Sequence, residues 1–278
     1  MSRLELPDGL EQFRDRFEAT VKPYVEIQAH PTKAATLWQS KFAGFPYLPK
    51  GFDYPKTPDG DYLYLLAQIN FSEVPRLEGF PEKGILQFYI AGDDLYGCNY
   101  EARMSQKGFR VLYFPDFDLN EDNLITNFDF LQNLWDREFT PFSTPRFYTP
   151  DRNDCFALTF NQQSAPITTC DYKFDELIGS DVCDAFVNDV DLDYAYNDMY
   201  PVGHKLGGYP DCVQEDPRRF LPEDIEPYLL LLQIDTDMKS AEEIGIQWGD
   251  NGTCNFFIKD SALRRLDFSD VIYDWACG

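Results

Sequence analysis

The feature that most constrains the fold is a motif that the chain contains twice. The sequence SKFAGFPYLP at residues 40–49 returns, with changes, as HKLGGYPDCV at residues 204–213. Three further segments follow each copy in the same order: LAQINF, KGILQFYI and FRVLY, then LLQIDT, NGTCNFFI and FSDVIY. The offset between matched residues rises only from 164 (205 − 41), for the lysines, to 168 (256 − 88), for the phenylalanines of KGILQFYI and NGTCNFFI. Four matches in one order indicate an internal duplication, with a period too long for a solenoid.

The apolar pattern changes its period near the start of the chain. Between Leu10 and Val21, apolar residues lie three and four positions apart, which predicts a helix that begins near Asp8 and ends before Pro23. From Tyr24 onward the period is two, in short runs separated by Gly, Pro, Asn and Asp. We therefore expect an α+β, β-rich fold made of two similar halves, whose antiparallel sheets pack together.

The length of 278 residues suits about two domains. We assign residues 1–150 to the first half, with the N-terminal helix and a connector, and residues 151–278 to the second half. The connector, residues 115–150, is predicted to contain one short helix near Asn123–Asn133. The second half carries an insertion, residues 171–200, with nine acidic residues and one lysine.

The insertion is predicted to be helical. Ser180 is positioned to cap a helix whose apolar face would include Val182, Phe186, Val187 and Val190. Its carboxylates make it the strongest local source of negative potential. We therefore expect an acidic surface for a binding partner there, formed by Asp181, Asp184, Asp189 and Asp191.

Glycines in the repeated segments predict turns and bends. Gly84 and Gly252 each stand just before an apolar run and are expected to supply a positive φ. Gly44 and Gly208 each stand two residues before a proline, which suits a backbone bend followed by an extended segment. The repeated motif therefore has a structural explanation that needs no ligand.

The charge of the chain limits its partners. Asp and Glu number 48 against 24 Lys and Arg, which gives a net charge of −24. Nucleic acids and anionic membranes are disfavoured because their affinity for proteins depends on cationic side chains. No apolar run approaches the ~20 residues that span a bilayer, and no signal peptide is evident, so we expect a cytoplasmic protein. The charge favours a basic protein or peptide as partner, although solubility alone would also explain it.

The cysteines indicate neither a disulfide framework nor a zinc site, because they are odd in number and never spaced as C-x-x-C. Reduced thiols are expected, and no cofactor or metal is predicted. The seven cysteines are Cys98, Cys155, Cys170, Cys183, Cys212, Cys254 and Cys277.

We place a candidate binding site where polar residues recur in the two halves. Gln68 and Gln233 interrupt matching apolar runs, and Lys41 and Lys205 occupy matching positions in the repeated motif. A buried amide must find hydrogen-bond partners, so these residues could tie strands together or line a cleft between the halves. His204, one of only two histidines, would join them. The alternative is structural: a satisfied amide and a lysine whose stem is buried. No catalytic residue is assigned.

The repeated motif, together with WGDNGTCNFFI and DFSDVIYD, resembles the YwqG-like family of bacterial proteins over nearly the whole chain. The resemblance implies a duplicated, β-rich α+β fold. The sequence is also distantly similar to the eukaryotic programmed cell death 2 family, whose members escort a newly made basic ribosomal protein, and some bacterial relatives belong to toxin and immunity settings. The resemblance assigns no catalytic residue.

Two functions follow as hypotheses. The first is a non-enzymatic module that holds a basic protein, as an escort or a toxin antagonist would. The second is an enzyme or small-molecule binder that uses the cleft between the halves. A pocket with converging polar groups would favour the second, and a broad acidic face would favour the first. The oligomeric state is left open.

Overall fold

The computed structural model describes residues 3–32, 36–131, 139–143, 155–200, 202–239 and 244–278. Within them the chain is mostly extended, as the period-two runs predict. The strands are β1 Lys22–Thr32, β2 Lys41–Phe42, β3 Tyr64–Asn70, β4 Ile85–Ile90, β5 Phe109–Phe114, β6 Phe142–Ser143, β7 Cys155–Ala165, β8 His204–Gly207, β9 Tyr228–Asp235, β10 Asp237–Lys239, β11 Ile244–Ile246, β12 Thr253–Lys259 and β13 Val271–Ala276. The α-helices are α1 Arg14–Thr20, α2 Phe174–Ile178, α3 Ser180–Asn188, α4 Val190–Met199 and α5 Asp260–Arg264. The 3-10 turns are Asp8–Phe13, Glu121–Asn123, Asp129–Leu131 and Pro217–Phe220.

Ten strands form one antiparallel sheet in the order β13-β12-β9-β8-β1-β7-β2-β3-β4-β5. Its centre is the long pair β1 and β7, in register from Lys22 opposite Ala165 to Thr32 opposite Cys155. β1 precedes the first motif copy but pairs with β8 of the second, and β7 pairs with β2 of the first. The early and late parts of the chain therefore share one sheet. A smaller sheet joins β10, β11 and β6.

The sheet curls until its two edge strands, β5 and β13, face each other. Rings from opposite sides meet in the interior, with centroids 4.8 Å apart for Phe88 and Phe256 and 5.2 Å apart for Phe109 and Tyr273. The fold is a nearly closed, barrel-like sheet with the main apolar core inside it. Burial of these large rings is the main stabilising contribution, since each removes a large apolar area from water.

A second apolar cluster holds the helices together. Leu10 and Phe17 of the N-terminal helical segment pack with Ile178, Val182 and Tyr196 of the insertion. Phe17 and Tyr196 lie with ring centroids 4.9 Å apart. The insertion is therefore anchored by one face to the N-terminal helix, and its other face is left to solvent.

The strands that carry the two motif copies have the same local geometry. Lys41 lies opposite Gln68, and Lys205 lies opposite Gln233. The register shifts in β3 between Leu65 and Ala67, and in the β9–β12 pair at the matching point of the repeat. Such bulges bend a strand and increase its twist, which helps the sheet to curl.

Three of the four glycine predictions are confirmed and one is wrong. Gly44 and Gly208 have φ of 74° and 72°, and Gly84 has φ of 86°, so the bends and the first turn are as expected. At the second turn the positive φ belongs to Gly249, with φ of 56°, and not to Gly252. Gly252 is constrained by space instead, because a Cβ there would lie 2.3 Å from the carbonyl oxygen of Ala276 on β13.

The β-rich α+β class is confirmed, as is the N-terminal helix, which begins as a 3-10 turn at Asp8 and ends at Thr20. One continuous sheet replaces the two packed sheets that were expected. Of the helix predicted near Asn123–Asn133, the described residues form two 3-10 turns, and Asn133 lies outside them. The boundary at residues 150 and 151 also lies outside them and stays a prediction. No helix in the described ranges has the length and apolar character to cross a bilayer.

Candidate functional site

The amide of Gln68 is fully engaged in the structure. Its Oε1 accepts hydrogen bonds from the backbone N–H of Tyr47, at 2.7 Å, and from Nε2 of Gln87, at 2.8 Å. Its Nε2 donates to the carbonyl oxygens of Leu37 and Gln39, both at 2.8 Å. All of its hydrogen-bonding capacity is used within the protein, so it ties two loops to the sheet.

Lys41 is fully buried beside this amide, with 0% of its surface exposed. Its Nζ donates to the carbonyl oxygens of Thr36, at 2.8 Å, and Leu37, at 3.3 Å. Burial lowers the pKa of Lys41 to about 8, and the nearby groups of Cys155 and Glu73 oppose this shift only in part. Neutral carbonyl oxygens stabilise the charged ammonium less than a carboxylate partner would. Desolvation is therefore the main influence on the pKa of Lys41.

The second motif copy repeats two of the hydrogen bonds of Gln68. Oε1 of Gln233 accepts from the backbone N–H of Asp211, at 2.7 Å, and its Nε2 donates to the carbonyl oxygen of Gly203, at 2.8 Å. Nδ2 of Asn255 donates to the carbonyl oxygen of Asp211, at 2.9 Å. Burial lowers the pKa of Lys205, and Asp211 opposes the shift. Asp211, Gly203 and Asn255 match Tyr47, Gln39 and Gln87 in the first copy by the same offsets.

His204 points to the other face of the sheet, because it neighbours Lys205 on a strand. Its ring lies against Phe42, with centroids 5.2 Å apart. Nδ1 accepts from the backbone N–H of Asp235, at 3.0 Å, while Nε2 is buried without a hydrogen-bond partner and lies 3.8 Å from Oδ2 of Asp237. The histidine therefore belongs to the barrel interior.

The five residues predicted for one cleft thus form two pairs and a separate histidine. Each glutamine is held by its own loop, and no hydrogen bond or ion pair described in the structure joins the two Lys–Gln pairs. The three described cavities, of about 440, 840 and 340 Å³, are lined by none of the five. The cleft between the halves stays a prediction.

The predicted acidic surface lies on the insertion, and its four aspartates differ in their contacts. Asp181 forms an ion pair with Arg16. Asp189 caps α4 by accepting a hydrogen bond from the backbone N–H of Leu192. The exposed side chains of Asp184 and Asp191 make no described hydrogen bond. The latter two carboxylates are thus open to a partner.

The apolar face predicted for this insertion is corrected by the structure. The chain breaks at Asp189 into two helices, and Val182 and Phe186 are buried as expected. Val187 and Val190 flank the break and are 79% and 57% exposed. Gly179, and not Ser180, holds the N-cap position of α3, without a side-chain cap.

Residues 40–277 match the model of one protein family, described as a domain of unknown function, DUF1963. The chain belongs to the DUF1963 family. The matched segment begins at the first motif copy and contains both copies, all strands from β2 to β13 and the acidic insertion. No curated protein matches the chain. The match identifies the domain and leaves its function to be argued from the geometry.

Sequence reasoning missed a buried ionic cluster in the DUF1963 domain. Nη2 of Arg218 donates to Asp171, at 2.8 Å, and to Asp216, at 2.6 Å. The guanidinium lies between the rings of Tyr172 and Phe257, 4.6 Å from each centroid. Because every charge has a partner and both faces of the guanidinium are covered, the cluster fixes the base of the insertion to the sheet. The sequence carries no periodic signal for it.

The described part of the domain contains no group of three His, Cys, Asp or Glu residues arranged to hold a metal ion. The described site residues offer hydrogen bonds in the two motif copies and negative charge on the insertion.

Proposed function

We propose that this DUF1963 protein is a non-enzymatic binding module that holds a basic protein on the exposed face of α3 and α4. The observation that carries the proposal is the composition of that face. Residues 174–200 contain eight carboxylates and no Lys, Arg or His. Three large apolar side chains stand among them: Val187, Val190 and Tyr194, which is 64% exposed.

Charges and apolar groups would act together in such a site. Exposed valines and a tyrosine offer an anchor whose burial stabilises a complex, and surrounding carboxylates steer a cationic partner and set its orientation. Asp184 and Asp191, on either side of the break between the helices, are free to receive lysine or arginine side chains. An amphipathic basic segment fits this combination better than a purely cationic one.

We also propose that the two halves arose by duplication and serve as the scaffold. The same hydrogen bonds at matched residues support this: Gln68 holds Tyr47 as Gln233 holds Asp211. The resemblance to YwqG-like proteins supports the duplicated scaffold, and the more distant resemblance to the programmed cell death 2 escorts supports the binding function. In this proposal the insertion, which interrupts the second half only, supplies the binding face.

The test uses a defined probe, a fluorescein-labelled helical peptide of alternating lysine and leucine clusters, with fluorescence anisotropy at low and at physiological ionic strength. The variant Asp184→Asn/Asp191→Asn/Asp198→Asn should bind it about tenfold more weakly, since each exposed ion pair contributes on the order of 0.5 kcal/mol. Val187→Ser/Val190→Ser should also weaken binding, through lost apolar contact.

The matched control neutralises three exposed aspartates outside the insertion, Asp59→Asn/Asp94→Asn/Asp122→Asn, and so has the same net charge. It should bind like the wild type. Equal weakening in both triple variants would mean general attraction to an acidic protein and would refute the proposed face. No measurable binding by the wild type would refute it as well.

A further inference from the structure

We propose that the seam of the barrel carries a second binding site, for an extended peptide whose C-terminal carboxylate is bound by Arg110 and whose backbone pairs with β5. The site lies between the edge strands and shares no residue with the acidic face. It therefore does not depend on the proposed function.

The seam is bridged at one point by a side-chain amide. Oε1 of Gln106 accepts from the backbone N–H of Val111 on β5, at 2.9 Å. Its Nε2 donates to the carbonyl oxygens of Phe268, at 2.8 Å, and Ser269, at 3.2 Å, in the segment before β13. The amide thus takes the place that a peptide group of an inserted strand would occupy.

Beyond Gln106, the edge of β5 has unused backbone groups. The N–H of Val111 points away from β4, and N–H and C=O groups alternate between the two sides along an antiparallel strand. The C=O of Val111 and the N–H and C=O of Tyr113 therefore point into the seam, and none of them makes a described hydrogen bond. An open edge of this kind is what strand addition requires.

A groove of about 440 Å³ runs along this open edge. Its lining is unusual for so acidic a chain, because the residues that the structure describes there include one arginine and no carboxylate. It offers both apolar and polar contacts to a peptide. The lining residues are Gln106, Arg110, Val111, Leu112, Tyr113, Leu266, Phe268 and Ser269.

Arg110 is the cation of this groove, and its hydrogen-bonding capacity is mostly unused. Nη2 donates to the carbonyl oxygen of Gln106, at 3.2 Å, and Nε is buried without a partner. No ion pair of Arg110 is found among the residues that the structure describes. A guanidinium presents its N–H groups as a fork that matches a carboxylate, so the missing partner is most simply an anionic oxygen pair.

The two features together select the ligand and its direction. A carboxylate at Arg110 and a chain that continues toward Tyr113 place the peptide antiparallel to β5. Its side chains would then alternate between the groove, near Leu266 and Phe268, and solvent. A free phosphate could satisfy Arg110, but it would leave the β5 backbone unpaired, so a peptide C-terminus is the occupant that uses both.

The experiment screens short acetylated peptides of randomised sequence, made with a free C-terminal carboxylate and, as a matched set, with a C-terminal amide. The affinities of the retained peptides for the wild-type protein and its variants are then measured by fluorescence anisotropy. We expect carboxylate peptides to bind at least tenfold more tightly than their amides, and Arg110→Gln to abolish that preference. Arg219→Gln, which removes an exposed arginine elsewhere, should leave it unchanged.

Hydrogen exchange tests the strand pairing directly. The amide of Tyr113 should exchange at least tenfold more slowly with peptide bound, and a peptide N-methylated at the paired position should lose this protection. Retained far-ultraviolet circular dichroism shows that Arg110→Gln folds. The proposal is overturned if no peptide in the randomised set binds, if carboxylates and amides bind equally, or if Tyr113 gains no protection.

Discussion

The pKa of Lys41 is the most direct test of how deeply the repeated motif is buried. An ammonium with 0% exposure and only carbonyl partners is costly, and burial lowers its pKa from the ordinary 10.5 to about 8. At about 1.36 kcal/mol per pH unit, this difference corresponds to about 3 kcal/mol against the charged form in the folded state.

The sign of the pH dependence follows from proton binding. Between pH 8 and 10.5 the unfolded chain keeps the proton of Lys41 while the folded protein has lost it. Stability therefore rises with pH across this window. From pH 7 to pH 9.5 the gain attributable to this residue is about 2 kcal/mol, which linkage gives from the two pKa values.

Urea unfolding of the wild type and of Lys41→Met, at intervals from pH 7 to pH 9.5, measures this gain. The free energy of unfolding of the wild type should rise relative to that of Lys41→Met by about 2 kcal/mol over the range. Other titrating groups are common to both proteins and cancel. Lys107→Met serves as the control, because it removes an exposed lysine that is hydrated in both states. If the difference between wild type and Lys41→Met does not change with pH, Lys41 is not desolvated as described.

Three further changes test other parts of the structure, each by urea unfolding at pH 7. Arg218→Met should lower the free energy of unfolding by about 3–5 kcal/mol, since it leaves two buried aspartates without their partner. A decrease under about 1 kcal/mol would contradict the buried ionic cluster. Gln106→Leu should lower the free energy of unfolding by about 1–3 kcal/mol, because it leaves the N–H of Val111 unpaired at the seam. An unchanged urea midpoint would mean that the hydrogen bond between Gln106 and Val111 is not formed. Gly97→Ala should prevent folding or lower the free energy of unfolding by more than about 3 kcal/mol. The reason is that Gly97 has φ of 76° and a Cβ would lie 2.0 Å from the carbonyl oxygen of Gly108. A folded, equally stable variant would refute this contact.

Local patterns predicted the local structure well. Apolar spacing placed the N-terminal helix, and glycines before prolines placed bends at Gly44 and Gly208, because these features depend on neighbours in the chain. The repeated glutamines were expected to be either satisfied amides or cleft residues. The structure shows Gln68 and Gln233 with hydrogen bonds to backbone groups, which sequence can require but cannot specify.

In the acidic insertion, the apolar period predicts only part of the structure. Its helical period was read correctly for Val182 and Phe186, which are buried. Val187 lies within α3, about 100° around the helix axis from the buried Phe186, so its exposure follows from the helical period itself. Val190 would lie near the face of Phe186 in a single helix, but the break at Asp189 changes the phase between α3 and α4. Periodicity assumes an unbroken helix, so it could not indicate that Val190 is exposed and available to a partner.

The sequence by itself determined the β-rich α+β class, the matched pairs of lysine and glutamine, the bends of the repeated motif and the acidity of the insertion, since each is a property of short segments or of composition. The tertiary structure alone decided that β1 pairs with β8 and β7 with β2, and that both motif copies lie in one nearly closed sheet. It also decided that Arg110 faces a groove whose described lining has no carboxylate. Strand pairing between segments more than a hundred residues apart depends on which edges are free when the core forms, and no local pattern records that choice.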